Sequence, residues 1–219
     1  MSMRVSPRRL GLFVLAVAIV SGASAQRLRK VPAPTQVEQM PASYRGGLVV
    51  PPLPKPRFTL TDTSGAPFDF WSNTQGVVTL LFFGYTSCPD ECPLHVENVR
   101  LGLDKLPASA RARVQMVFVT TDPDRDTPQQ LRAWLDRFDK RFIGLTGSEA
   151  EVEAAQREAG VPVARKAVRD GRAYSVGHAN FVLAYTRDNL AHVIYPGGVV
   201  QQDWAHDLPQ LLNETWSGP

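Results

Sequence analysis

The sequence predicts an α/β domain, a central mixed sheet flanked by helices with a β-hairpin at its N-terminal end. Three observations carry this. Residues 77–83 are a continuous β-branched and aromatic run, the pattern of a strand buried on both faces, and residues 114–119 read as a second buried strand. Apolar residues at helical spacing follow each run, so strands and helices alternate and the two strands run parallel. Late in the chain, residues 181–185 and 192–195 flank Arg187-Asp188-Asn189, a hairpin signal that adds antiparallel strands.

Each element has a local reason. Phe58-Thr59-Leu60-Thr61 alternates, Ser64-Gly65 supplies a turn, and Phe68-Asp69-Phe70 answers it as the second arm of the small hairpin. After the run at 77–83, Val96, Val99, Leu103 and Leu106 recur at helical spacing. Thr127 is a good N-cap, and Pro128 suits the first position of a helix with Leu131, Trp134, Leu135 and Phe138 on one face. Residues 142–145 read as a short strand. Ser148 caps a helix over 149–159 whose first turn is acidic. Residues 203–212 read as a closing helix. The order is hairpin, βαβα, short strand and helix, hairpin, helix, which is the layout of a thioredoxin-like sandwich with an inserted helical segment.

The domain is expected to occupy residues 58–219. Residues 26–57 hold seven prolines and few aromatic anchors, so they read as an extended linker. Residues 1–25 combine Arg4, Arg8 and Arg9 with an apolar run over 10–20 and a small-residue pattern at Ala23-Ser24-Ala25, the parts of a secretory signal peptide. Read through to Ala25, the same run could serve as an uncleaved membrane anchor. Either way the remainder faces an oxidising, extracytoplasmic space. The formal charge of +3 resides in these three arginines; without them basic and acidic side chains are equal at 21 each. A neutral mature chain lacks the electrostatic footprint of a nucleic-acid binder.

The chain has two cysteines. Cys88 and Cys92 lie in Ser87-Cys88-Pro89-Asp90-Glu91-Cys92-Pro93, after the first buried strand and at the start of the first helix. Unpaired N–H groups and the positive end of the helix dipole favour a thiolate there. The spacing brings both sulfurs to one side if the segment is helical. It suits a structural disulfide, a redox pair or a metal site, although a bridge closing so short a loop adds little stability. His178, in Tyr174-Ser175-Val176-Gly177-His178-Ala179-Asn180, precedes the strand at 181–185, and in such a sheet this loop approaches the first helix. Two thiolates and an imidazole form a soft set that suits Cu(I) and can serve Cu(II) or Zn. His95, three residues after Cys92, is a rival ligand, but its polar neighbours and register favour an exposed helix residue. His192 and His206 read as structural or exposed. In Thr121-Asp122-Pro123-Asp124-Arg125-Asp126-Thr127-Pro128 most of the carboxylates read as a solvated turn and cap. Asp122 is the exception, because its place at a strand's carboxyl end fits an outer partner of the metal site.

Taken in order, Cys88-Pro89-Asp90-Glu91-Cys92-Pro93, the 121–128 segment, Leu145-Thr146-Gly147-Ser148 and Tyr174-Ser175-Val176-Gly177-His178 resemble the SCO1/SenC (PrrC) family from about Phe58 to Leu212. The resemblance implies a thioredoxin-like fold in an exported or singly anchored protein. It implies copper held by Cys88, Cys92 and His178, with Asp122 matching the family aspartate near the metal. The implied partners are subunit II of cytochrome c oxidase, whose dinuclear copper centre the family helps to build, and other periplasmic copper chaperones or thiol reductants. A periplasmic monomer, associated with the membrane if its N-terminus is retained, is expected. One departure stands out: many members carry an aspartate where this chain has Gly177.

Two functions follow as expectations. As a metallochaperone, the protein holds copper on Cys88, Cys92 and His178 and passes it on. As a thiol-disulfide oxidoreductase, Cys88 attacks and Cys92 resolves, reducing target cysteines such as those of an oxidase copper site. The C-x-x-x-C spacing departs from the C-x-x-C of such enzymes, and the loop before Phe181 lacks a proline. A peroxidase is a third, weaker reading, because the proline-threonine setting of a peroxidatic cysteine is missing.

Overall fold

The computed structural model describes residues 37–38, 44–169, 173–213 and 216. The expected signal segment, residues 1–25, lies outside them. The elements in chain order are β1 (Val37–Glu38), β2 (Gly47–Pro54), β3 (Thr59–Asp62), β4 (Pro67–Asp69), α1 (Phe70–Asn73), β5 (Val78–Gly84), α2 (Glu91–Leu103), α3 (Ala108–Arg111) and β6 (Val114–Thr120). There follow α4 (Pro128–Leu135), β7 (Ile143–Thr146), α5 (Glu149–Glu158), β8 (Arg165–Arg169), β9 (Ala173–Gly177), β10 (Phe181–Tyr185), β11 (Leu190–Pro196) and α6 (Gln201–Asn213). Nine strands form one mixed sheet in the order β1-β2-β11-β10-β5-β6-β7-β3-β4, and β8 and β9 pair with each other. The fold is thioredoxin-like, as the sequence predicts. No helix among the described residues is long and apolar enough to cross a membrane.

The core explains why β5 reads as a continuous apolar run: every residue of it is buried. Leu80 and Phe82 pack with Val96, Val99 and Leu103 of α2 and with Trp204, Leu208 and Leu211 of α6. Leu81 and Phe83 point the other way, into a second layer with Val152 and Ala155 of α5. Alternation along the strand thus feeds two cores. A fully buried Leu or Phe stabilises by roughly 1.5–3 kcal/mol, so β5 anchors the domain. The caps also form as read. Thr127 and Gln130 make a reciprocal capping box at α4, and Ser148 and Glu151 make another at α5. Asn189, with φ of 64°, turns the β10–β11 hairpin.

Three features differ from the sequence reading. The proline-rich stretch expected as linker contributes β2, which pairs with β11 through Gly47, Leu48, Leu53 and Pro54. Pro51 and Pro52 lie where the register with β11 shifts, and all three prolines of β2 lie beyond the two residues covered by β1. The sheet therefore begins well before Phe58. Phe70 opens the short helix α1, capped by Asp69, rather than continuing the hairpin. The β8–β9 hairpin is not anticipated at all. Its sequence signal is Asp170-Gly171, a strong turn dipeptide between two alternating segments.

Topology then sets the site. β5 runs parallel to β6 and antiparallel to β10, with Phe82 opposite both Phe118 and Val182. The carboxyl ends of β5 and β6 and the amino end of β10 therefore meet at one edge of the sheet. The turn after β5 and the loop before β10 face each other there, at the switch point where α/β sheets gather ligands.

Candidate metal centre

The cysteine turn is built on the end of β5. Gly84 is required at that end, because a Cβ there would lie 2.9 Å from Cys92 Sγ and 3.0 Å from the Phe118 ring. The Gly84 carbonyl accepts from the Thr121 N–H at 2.6 Å, tying the ends of β5 and β6 together. Asp126, fully buried, then fixes the turn. Its carboxylate accepts from the Thr86 N–H at 2.8 Å, the Thr86 hydroxyl at 2.5 Å and the Thr120 hydroxyl at 2.6 Å. The Cys88 N–H closes the turn on the Tyr85 carbonyl at 3.2 Å, and α2 starts three residues later.

Asp90, the N-cap of α2, makes no side-chain cap. Cys88 does that work instead: its sulfur accepts the Cys92 N–H at 3.4 Å. The Cys92 thiol also donates to Cys88, and this is the largest reason that the Cys88 pKa falls to about 4. The Cys92 N–H, His178 and the Asp90 N–H add to it, against the opposing effect of burial. Cys92 moves the opposite way, pushed up by the same hydrogen bond and by its burial. The pair shares one proton, held on Cys92, and Cys88 is a half-buried thiolate. Both cysteines are free.

His178 closes the group. Its Nε2 lies 3.3 Å from Cys92 Sγ, and its Nδ1 lies 2.9 Å from the Ala179 carbonyl. A carbonyl only accepts, so Nδ1 donates to Ala179, and Nε2 is the ring atom that faces the sulfurs. Phe82 and Tyr85 meet the imidazole edge-on, at 5.9 and 5.6 Å between ring centres. One donor atom from each of Cys88, Cys92 and His178 lies within 4.8 Å of the others. An open cleft of about 350 Å³, lined by Tyr85, Cys88, Glu91, Val176 and His178, leads to them. Two sulfurs and a neutral imidazole can hold a soft metal ion, and a half-buried thiolate beside a second thiol can exchange disulfides.

The other candidates fall elsewhere. His95 is 3 % exposed, not the exposed helix residue its neighbours suggest. It packs 5.0 Å from the Phe82 ring, and burial lowers its pKa. Helical register explains this, since His95 shares a face with Cys92 and Val99, both fully buried. It lies outside the group of three. His192 bonds Asp188 at 2.7 Å and stacks on Trp216, and His206 bonds Asp207 at 2.7 Å. Asp122 is fully buried, with the Tyr174 hydroxyl donating to it at 2.7 Å and Arg125 paired to it. It thereby holds the hairpin that leads to His178. The carboxylate beneath the cysteines is Asp126, which the sequence reading leaves in a solvated turn. Nothing local in the sequence marks it, because its partners Thr86 and Thr120 meet it only in the fold.

Comparison with known proteins agrees with this architecture. A family model described as SCO1/SenC matches residues 51–213. A Stutzerimonas stutzeri protein described as copper-binding is 38% identical over 160 residues, 72% of this chain and 76% of that protein. Sco1 of Thermus thermophilus, solved in its apo form, superposes with a TM-score of 0.68 at 32% identity, over 77% of this chain and 96% of that one. ScoI of Bradyrhizobium japonicum, solved with copper bound, superposes with a TM-score of 0.62 at 28% identity, over 72% of this chain and 98% of that one.

Proposed function

This chain belongs to the SCO1/SenC family, and we propose that it is a copper carrier whose ligands are Cys88, Cys92 and His178 and which serves assembly of the dinuclear copper centre in subunit II of cytochrome c oxidase. The observation that carries the reading is the convergence of two sulfurs and one imidazole nitrogen, from segments 86 residues apart. These donors fit copper: they are soft, few and open to a cleft on one side. Uptake begins at the Cys88 thiolate. Cys92 then gives up its proton, and His178 supplies Nε2. With Cu(I) the centre carries a net charge of −1, and with Cu(II) it is neutral. Release is a ligand exchange, in which incoming thiolates replace these donors one at a time.

The signal-like residues 1–25 support a periplasmic site of action, with or without retention at the membrane. Besides the oxidase subunit, partners of this reading are copper donors and thiol reductants of the same compartment.

Copper titration of the reduced protein tests the proposal. One equivalent should bind, with a sulfur-to-Cu(II) charge-transfer band and release of about one proton near pH 7, because only Cys92 is still protonated. Cys88→Ala and Cys92→Ala should abolish the band, and His178→Ala should weaken binding. Wild-type protein that binds no stoichiometric copper would sink the idea.

A second reading is thiol-disulfide exchange, favoured by the low pKa of half-buried Cys88. The Cys88 thiolate would attack a target disulfide, displacing one target thiolate. Cys92, once deprotonated, would attack Cys88 and release the other, so the target gains two electrons and the pair becomes a disulfide. In the mixed disulfide the burial of Cys92 still opposes its deprotonation and makes it a slow resolving group, which ranks this reading second.

A further inference from the structure

The histidine loop has side-chain attachments on both sides of His178. Downstream, Asn180 Nδ2 donates to Glu91 Oε2 at 2.7 Å. Glu91 lies between the two cysteines in sequence, so this bond joins the cysteine turn directly to the loop. Asn180 is itself boxed in. Its carbonyl accepts from the Gly197 N–H at 2.9 Å, and a Cβ on Gly197 would stand 2.3 Å from Asn180 Nδ2. Gly197 is thus a glycine so that Asn180 can press between it and Glu91. Upstream, Tyr174 bonds Asp122 through its hydroxyl, and its ring receives the Arg125 guanidinium at 3.9 Å. Gly177, next to His178, offers no side chain for anchoring.

We propose that the Glu91–Asn180 bond is a strut that sets the His178 imidazole against the cysteine pair, with Tyr174–Asp122 holding the far side of the same loop. Glu91, Asn180 and Tyr174 are then positioning residues for the third ligand. Glu91 acts as a hydrogen-bond acceptor rather than as a charge. The strut makes a ligand set drawn from two segments behave as one unit. Its opening frees the imidazole while both sulfurs stay in place. The consequence for metal release rests on the copper reading above, but the strut itself is a property of the metal-free protein.

The test has two arms and four variants: Glu91→Ala, Asn180→Ala, Tyr174→Phe and the isosteric Glu91→Gln, whose amide oxygen still accepts from Asn180. In the metal-free arm, amide hydrogen exchange is followed at residues 178–180, with β5 amides as the control for global stability. Exchange should rise about 10-fold in Glu91→Ala and Asn180→Ala, about 3-fold in Tyr174→Phe and less than about 2-fold in Glu91→Gln, with β5 unchanged. In the copper arm, transfer of Cu(I) to bathocuproine disulfonate should speed up in the same order, and the nitrogen superhyperfine lines of the Cu(II) form should weaken. Glu91→Gln behaving like Glu91→Ala would overturn the strut, and so would wild-type exchange in every variant. If the wild type binds no copper, the copper reading fails and the exchange arm alone decides the strut.

Discussion

Cys92 Sγ and His178 Nε2 are 3.3 Å apart, yet the segments that carry them are held by different means. The cysteine turn grows from β5, every residue of which is buried, is tied to the buried end of β6, and is fixed by Asp126 from below. The histidine loop joins β9, which among the described residues pairs with β8 outside the nine-stranded sheet, to β10 inside it. That hairpin is fastened by side chains: Tyr174 on Asp122, Lys166 on Asp124 at 2.7 Å and on Glu149 at 2.9 Å. Lys166 pairs with largely exposed carboxylates, and such ion pairs contribute little. The difference separates two tasks. The sulfurs are preset by the core, and the imidazole sits between the central sheet on its downstream side and a hairpin fastened largely by side chains on its upstream side.

The largest expected effect sharpens the comparison at the sulfurs. The Cys88 pKa is lowered to about 4, so its thiolate is lost only as pH falls through that value. Iodoacetamide labelling of Cys88 should therefore hold level from about pH 8 down to about pH 5 and then decline. Cys92, raised and buried, should stay unlabelled throughout, which peptide mass spectrometry would read directly. Labelling that climbs steadily toward pH 9 would show an ordinary thiol and no preset pair.

Asp126→Ala tests the rigid side. It strips three hydrogen bonds from a buried carboxylate and leaves Thr86 and Thr120 unsatisfied, so a loss of about 3 kcal/mol in urea denaturation is expected. An unchanged midpoint would mean that the turn stands without it. The smallest effect belongs to the other side. Gly197→Ala drives Asn180 from its place, and should raise amide exchange at Asn180 about 10-fold while global stability falls by about 1 kcal/mol or less. A large global loss would place the histidine loop in the same cooperative unit as the cysteines.

The parts legible in the sequence are those whose cause is local or topological. The run at β5 and the caps at Thr127 and Ser148 are written in neighbouring residues. His178 is legible because an antiparallel strand beside β5 must begin where β5 ends. His95 misleads because Glu91 and Glu97 lie close to it in the sequence, while Cys92 and Val99, one turn away in either direction, are core residues. Asp126 and the Glu91–Asn180 bond depend on contacts 40 and 89 residues apart, which no window along the chain can contain. The β8–β9 hairpin is different, since Asp170-Gly171 announces a turn in the sequence itself.

The prolines of β2 have one more consequence. A strand near the rim of a sheet is a template on which another chain can grow. Here Pro51, Pro52 and Pro54 remove the donors from the stretch that the two-residue β1 leaves open. At the other rim β4 spans three residues, one of them Pro67. Among the described residues neither rim therefore offers a full row of N–H groups, which guards a sheet of nine strands against edge-to-edge growth on copies of itself.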